Sequence, residues 1–163
     1  MEFSAARSIS APAERIFVYL ERLEHQFELI GSRAERLATA GASMRVRLRG
    51  PVGIRRTVRA SLTYARSPES IVGRAEAGRS SRATVRWSIQ RSDVGSWVQV
   101  IAHADALGPV DAMLVRLGGR RWLARSLELA LETLEERMRP HPTADDRGHS
   151  KQGPDHEPSA ESS

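Results

Sequence analysis

The chain has 163 residues, a formal net charge of +5 and no cysteine. That length fits one domain able to bury a core without staples. The missing thiols exclude a disulfide framework, thiolate metal sites and a cysteine nucleophile. Charge is uneven: residues 1–139 hold 23 arginines against 15 acids, whereas 140–163 hold Arg147 and Lys151 against five acids. Basic chains meet nucleic acid or anionic membrane, but Lys151 is the lone lysine and alanine is abundant, a bias that a GC-rich genome also produces.

Residues 2–9 alternate and predict a strand with Phe3, Ala5 and Ile9 on one face. Pro12 and Glu14 then suit the first turn of a helix, Pro12 because its missing N–H is not needed there and Glu14 because it faces the positive end of the macrodipole. Ile16, Phe17, Leu20 and Leu23 form one apolar stripe, which weakens at Glu24-His25-Gln26, resumes at Phe27, Leu29 and Ile30, and ends at Gly31. Two short helices, or one bent helix, are expected. From 34 to 107 the period becomes two. Met44, Val46 and Leu48 alternate with Arg45, Arg47 and Arg49. Ile54, Val58, Ala60, Leu62 and Tyr64 share a face, as do Ile71, Gly73, Ala75 and Ala77. Ala83, Val85, Trp87 and Ile89 form a further row, and Val98, Val100, Ala102 and Ala104 the last. Short turn-rich links between such rows predict an antiparallel meander, wet on one face. Gly108-Pro109 opens the final helical region, with Val110, Met113, Leu114 and Leu117 on one side. Gly118-Gly119 interrupts it, and Leu123, Leu127, Leu131, Leu134 and Met138 follow at helical spacing. The stretch 140–163 has four prolines and no leucine, isoleucine, valine or aromatic residue, so it is expected to be a disordered tail behind a domain spanning 1–139. The first ten residues lack a signal-like apolar run and no stretch approaches the ~20 apolar residues of a membrane span, so a cytoplasmic location is expected.

The fold class expected is α+β: a curved antiparallel sheet of six to seven strands wrapped around a long C-terminal helix, with two short helices after the first strand. Two segments, I-S-A-P-A-E-R-I-F at 9–17 and G-P-V-D-A-M-L-V-R-L-G-G-R-R-W-L at 108–123, mark the joints of this order. With it, the chain over residues 2–138 resembles the START-related superfamily of polyketide cyclases, lipid-transfer proteins and pollen allergens, the SRPBCC group. The resemblance implies a helix-grip fold and an apolar ligand between sheet and helix; it names no ligand.

The residues point to such a cavity independently. Gly73, Ala75, Ala77, Ala83, Ala102 and Ala104 are small inner-row side chains, which leave room under a helix or let it dock closer. Candidate cavity residues are Met44, Val46, Arg56, Val58, Tyr64, Gly73, Val85, Trp87, Leu117 and Leu127. Trp87 and Tyr64 serve equally as core aromatics or as ligand walls. His25, between the short helices, is either a polar contact at the cavity mouth or a junction residue. Regular alternation turns Arg56 inward, where its charge needs a partner: an anionic ligand head, or Glu76 redirected by a bulge. A bulge at Arg55-Arg56 would instead leave both exposed. Arg7 poses the same question. His103 and Asp105 share the outer face and read as a solvated pair.

A lipophilic small molecule is therefore the expected partner, with no cofactor and no metal. Two alternatives stand beside it. A cyclase- or dehydratase-like enzyme would use Arg56, Tyr64 and His25 to polarise a carbonyl or move a proton. A basic interaction protein would bind RNA or anionic membrane through an outer face bearing Arg45, Arg47, Arg49, Arg59, Arg74, Arg82 and Arg86, although Trp97 is its single stacking aromatic and Glu76 interrupts the field. Trp122 reads as a packing anchor.

Overall fold

The computed structural model describes residues 1–140; the stretch expected to be disordered lies outside these residues, Pro140 apart. Strand β1 (Glu2–Ile9) leads into helices α1 (Ala13–Leu20) and α2 (Leu23–Glu28), so the two-helix alternative holds. Six strands follow: β2 (Ala34–Ala40), β3 (Ser43–Arg49), β4 (Arg55–Arg66), β5 (Ser70–Ala77), β6 (Ser81–Ser92) and β7 (Gly95–Ala106). The C-terminal region comprises α3 (Pro109–Leu114), a wide π-type turn at Val115–Gly119, and α4 (Arg120–Met138). All neighbours in the seven-stranded sheet are antiparallel, in the order β1-β7-β6-β5-β4-β3-β2. β2 to β7 form the expected meander, and β1 closes its far edge beside β7. No described helix is long and apolar enough to cross a membrane.

The inner face of the sheet changes side-chain size along the strands. Ile71, Trp87, Val100 and Ala5 stand in one cross-strand row, and Leu62, Gly73, Val85, Ala102 and Phe3 in the next. The row after that is Met44, Ala60, Ala75, Ala83 and Ala104, a ladder of four alanines behind one methionine. The large end carries the core. Ile71, Trp87, Ile89, Val98 and Val100 are buried with Ile16 and Leu20 of α1 and with Leu131, Leu134 and Met138 of α4. The indole N–H of Trp87 donates to Gln26 Oε1 at 3.1 Å, and the Gln26 amide donates to the Leu20 carbonyl at 2.7 Å, so the buried polar tip is satisfied.

Arg7 does turn inward, and its partner is internal: Nε donates to Glu135 of α4 at 2.5 Å, with Glu132 4.0 Å from the same guanidinium. Tyr64, expected on the inner row, does not lie there. The register of β4 slips between Leu62 and Tyr64, an added residue that reverses the side-chain alternation. Tyr64 therefore stands opposite Val72, in the outer row with Arg86, and is 54% exposed. Of the arginines expected outside, Arg45, Arg47, Arg49, Arg59, Arg74 and Arg86 stand in the outer rows, whereas Arg82, at a register shift of β6, also borders the space between sheet and helix. Arg45 faces Arg59 across the ladder, and Glu76 stands between Arg59 and Arg82. Like charges directly opposite are unfavourable; elsewhere on this face Arg47 pairs with Glu35 at 3.4 Å and Thr84 donates to Asp105 at 2.8 Å.

At the junction of α1 and α2 the His25 ring stacks on Tyr19, centroids 4.4 Å apart, and its Nδ1 lies 2.9 Å from the Tyr19 carbonyl oxygen. The Tyr19 hydroxyl is buried without a hydrogen-bond partner. Burial pushes this phenol above its ordinary ionisation range, with Arg137 opposing and Glu28 adding to the effect. A raised folded-state value means that Tyr19 favours the folded chain below the ordinary tyrosine range and loses that contribution as pH rises through the folded value. Tyr19 and Tyr64 are the two tyrosines, so a Tyr64→Phe variant isolates one phenol. Its ultraviolet titration is expected to lie above that of free tyrosine, and to return to it in urea.

The β6–β7 hairpin presses on the end of β1. Gly95 has φ +138°, and a Cβ there would sit 2.2 Å from the Ile9 carbonyl oxygen. Gly95→Ala is expected to destabilise the chain by at least about 2 kcal/mol, read as a lower urea midpoint with unchanged slope.

Candidate functional site

Beyond the alanine ladder the sheet and the C-terminal region part. The space between them is a cavity of about 320 Å³, within the range of about 300–1,000 Å³ typical of small-molecule sites. Its floor is Ala75, Ala77, Ala83, Val85, Ala102 and Ala104; its roof is Leu114, Val115, Gly119, Trp122 and Leu123; Leu48, Val58 and Phe27 close the sides. The six floor residues are only half-buried, although they face inward. Ile54 and Leu107 form an exposed rim. A smaller lobe of about 120 Å³, lined by Gly73, Trp87, Ile30 and Leu127, shares Phe27, Ala75 and Val85 with the main cavity.

The roof owes its shape to two glycines. Gly118 has φ +112°, a conformation costly for any residue with a Cβ. A Cβ on Gly119 would approach the Leu114 carbonyl oxygen to 2.8 Å. The wide turn tilts α3 away from the line of α4. This corrects the expected single apolar side: Leu114 is buried together with Val115, whereas Val110, Met113 and Leu117 face out, Leu117 being 63% exposed.

One wall of the cavity is polar. Arg56 points inward from β4, as alternation requires, and its terminal nitrogen donates to Asp111 Oδ2 at 2.6 Å. Neither Glu76 nor a bulge at Arg55-Arg56 is involved; Glu76 is on the outer face. The Ser81 hydroxyl donates to the same Asp111 oxygen and accepts the Gly108 N–H at 3.0 Å. Asp111 lies in the first turn of α3, where a carboxylate suits the helix dipole. Arg56 Nε is buried and has no protein acceptor.

Of the sequence-predicted residues, Arg56, Val58 and Val85 line the main cavity, and Gly73, Trp87 and Leu127 the smaller lobe. Five others do not reach either. Val46 and Met44 are buried in the inner row nearer the β2 edge, Met44 beside a separate cleft under α2. Tyr64 is on the outer face, Leu117 on the outside of the wide turn, and His25 against Tyr19. Arg56, Tyr64 and His25 thus lie in three different places, and the trio required for a carbonyl-polarising site does not assemble. Sequence reasoning missed Ser81, Asp111, Phe27 and Leu123. It also took Trp122 for an anchor alone, whereas it walls the cavity and carries the Arg33 guanidinium 5.9 Å above its ring. The Gly-Pro-x-Asp pattern at 108–111 marks a helix start, but nothing local ties Asp111 to Arg56.

The other constellations stay outside the cavity. His103 and Asp105 form the expected exposed pair, 3.0 Å apart, and this contact, with one from Thr84, lowers the Asp105 carboxyl from its ordinary range. No group of histidines and carboxylates suited to a metal occurs among the described residues.

No protein family model matches the sequence, and no curated protein matches it. Solved structures do match. A protein from Thermus thermophilus, TTHA0849, is 22% identical with a TM-score of 0.65, covering 85% of this chain and 97% of its own. A START superfamily protein from Mycobacterium smegmatis is 18% identical with a TM-score of 0.63, covering 84% and 96%. A protein from Arthrobacter aurescens is 13% identical with a TM-score of 0.61, covering 92% and 93%. At these identities the likeness is one of fold. With its seven-stranded curved sheet, two early helices and long C-terminal helical region, the chain has the helix-grip fold of START-like, SRPBCC-type proteins.

Proposed function

We propose that the domain binds a lipophilic small molecule in the cavity between the alanine ladder and the N-terminal half of the C-terminal helical region. One observation carries this reading: Ala75, Ala77, Ala83, Val85, Ala102 and Ala104 face inward yet remain half-buried, while Ile71, Trp87 and Val100 on the same strands are sealed. Protein interiors fill to crystal-like density, and apolar surface left accessible forgoes about 25 cal/mol per Å². A ligand that covers the floor recovers that energy. The START-like fold of the structural neighbours supports a ligand-binding type of fold in general.

The chemistry on the walls favours holding over transforming. Arg56 is neutralised by Asp111, and no histidine among the described residues lines the cavity. The Val115–Gly119 turn forms part of the roof, and its two glycines make it the natural hinge for ligand entry.

Filling the floor tests the reading. Ala83→Leu and Ala104→Leu, made separately, place an isobutyl group where the wild type has space. An environment-sensitive dye is expected to bind the wild type at saturable, one-site stoichiometry and each variant at least about tenfold more weakly. Both variants are expected to melt no lower than wild type, since cavity filling commonly adds about 0.5–2 kcal/mol. Undiminished dye binding would sink the proposal. A sharp drop in melting temperature would mean that the floor is already packed.

A further inference from the structure

We propose that the outer face of the sheet is a second binding surface, separate from the cavity, and that its partner is a single-stranded nucleic acid. Phosphates lie along a diagonal line of arginines, and a base stacks on Tyr64.

The line follows from the strand register. Arg49 stands directly opposite Arg55, and Arg45 directly opposite Arg59, on the paired strands β3 and β4. The next outer row holds Arg74 of β5, opposite Ser61, and the row after it holds Arg86 of β6, opposite Val72. Eight residues of strand separate the first row from the last, a length of about 27 Å. All six arginines are exposed. None of them forms an ion pair among the described residues. The two directly opposed pairs repel across the ladder. A phosphate set between two such guanidiniums removes that repulsion, because it accepts charge-assisted hydrogen bonds from both.

The acids of this face flank the line. Glu35 is taken by Arg47 at 3.4 Å, and Asp105 by Thr84 at 2.8 Å and His103 at 3.0 Å. Glu76 stands beside Arg59 in the same row. Two features choose the partner. Helix α4 packs on the inner face, so the outer face of this curved sheet is convex. A planar bilayer or a stiff duplex touches only part of a convex diagonal, whereas a flexible single strand follows it. Tyr64 stands in the row of Arg86, two strands away, and is 54% exposed. The β4 bulge that turns it outward sets a stacking platform at the end of the line. The aliphatic residues beside it, Val72 and Ile101, are half-buried, so the face offers little to insert into a bilayer.

The test is fluorescence anisotropy of a labelled oligouridylate of about ten nucleotides with the full chain, over a range of salt concentrations. Oligothymidylate, a duplex of the same length and phosphatidylcholine–phosphatidylglycerol vesicles are run beside it. Both single strands are expected to bind saturably and more tightly than the duplex. For six phosphate contacts the log–log slope of affinity against salt is expected to be about −4. Arg45→Gln combined with Arg59→Gln is expected to weaken binding at least about tenfold at low salt and to make the slope shallower by about 1.4. The same variant is expected to melt no lower than wild type, since a repulsive pair is gone. Tyr64→Ala is expected to weaken binding at least about fivefold at an unchanged slope. Arg15→Gln combined with Arg121→Gln removes equal charge from exposed positions on α1 and α4 and is expected to leave the affinity close to wild type. An equal loss in that control would mean a response to net charge alone and would overturn the proposal. So would the absence of binding to either single strand at low salt. Binding to the vesicles without binding to the oligonucleotides would assign the face to a bilayer and overturn it too. Each of these outcomes leaves the cavity reading as it stands, because dye binding reports on the other side of the sheet.

Discussion

One amphipathic helix cannot cover the concave face of a seven-stranded sheet evenly, and the rest of this structure follows from how that mismatch is resolved. Along α4 the apolar row Leu131, Leu134 and Met138 seals against Ile71, Trp87 and Val100. Leu127 and Leu123 lie nearer the N-terminal end of the same row, and they meet Gly73 and the alanine ladder. Large faces large at one end; modest side chains face small ones at the other. Close packing would require the helix to descend on the alanines. The wide turn at Gly118 and Gly119 and the bulk of Trp122 and Leu114 keep it away, and the difference is cavity volume.

Two inward arginines hold the C-terminal region over the sheet. Arg7 ties β1 to Glu135 on α4, and Arg56 ties β4 to Asp111 on α3. These strands lie on opposite sides of the cavity floor. Both arginines are roughly 40% exposed at the side chain (42% and 38%), so each pair is worth little beyond about 1 kcal/mol of stability. Their contribution is geometric: they fix where the roof stands. The Arg56 pair, with Ser81 and Arg82, gives a polar end to a space lined mostly by apolar side chains.

Much of this is legible in the sequence, for identifiable reasons. Period-two alternation over 34–107 and the glycine- and proline-marked joints reveal the strands, because a half-buried sheet writes its faces into every second residue. The small inner row is visible residue by residue, though the four-alanine ladder exists only once the register aligns Ala60, Ala75, Ala83 and Ala104. Tyr64 is misplaced by sequence reasoning because Leu62-Thr63-Tyr64 continues the alternation, and a bulge has no local signature there. Leu117 is misplaced because helical spacing assumes a regular helix, which Gly118 ends. Met44 and Val46 share the inner face but not its open end, and side-chain periodicity does not tell one end of a row from the other. Alternation aims Arg56 correctly, but its partner lies 55 residues onward, a pairing that only the tertiary fold creates.

Native mass spectrometry decides whether the space over the alanine ladder is a binding site or a packing defect. It is applied to the full chain purified from its host, and again after incubation with that host's total lipid extract. A binding site requires a complex of one chain with one small lipophilic molecule, lost on denaturation and reduced in the Ala83→Leu and Ala104→Leu variants. A bare-chain mass under every gentle condition, with nothing recovered by solvent extraction, would contradict it.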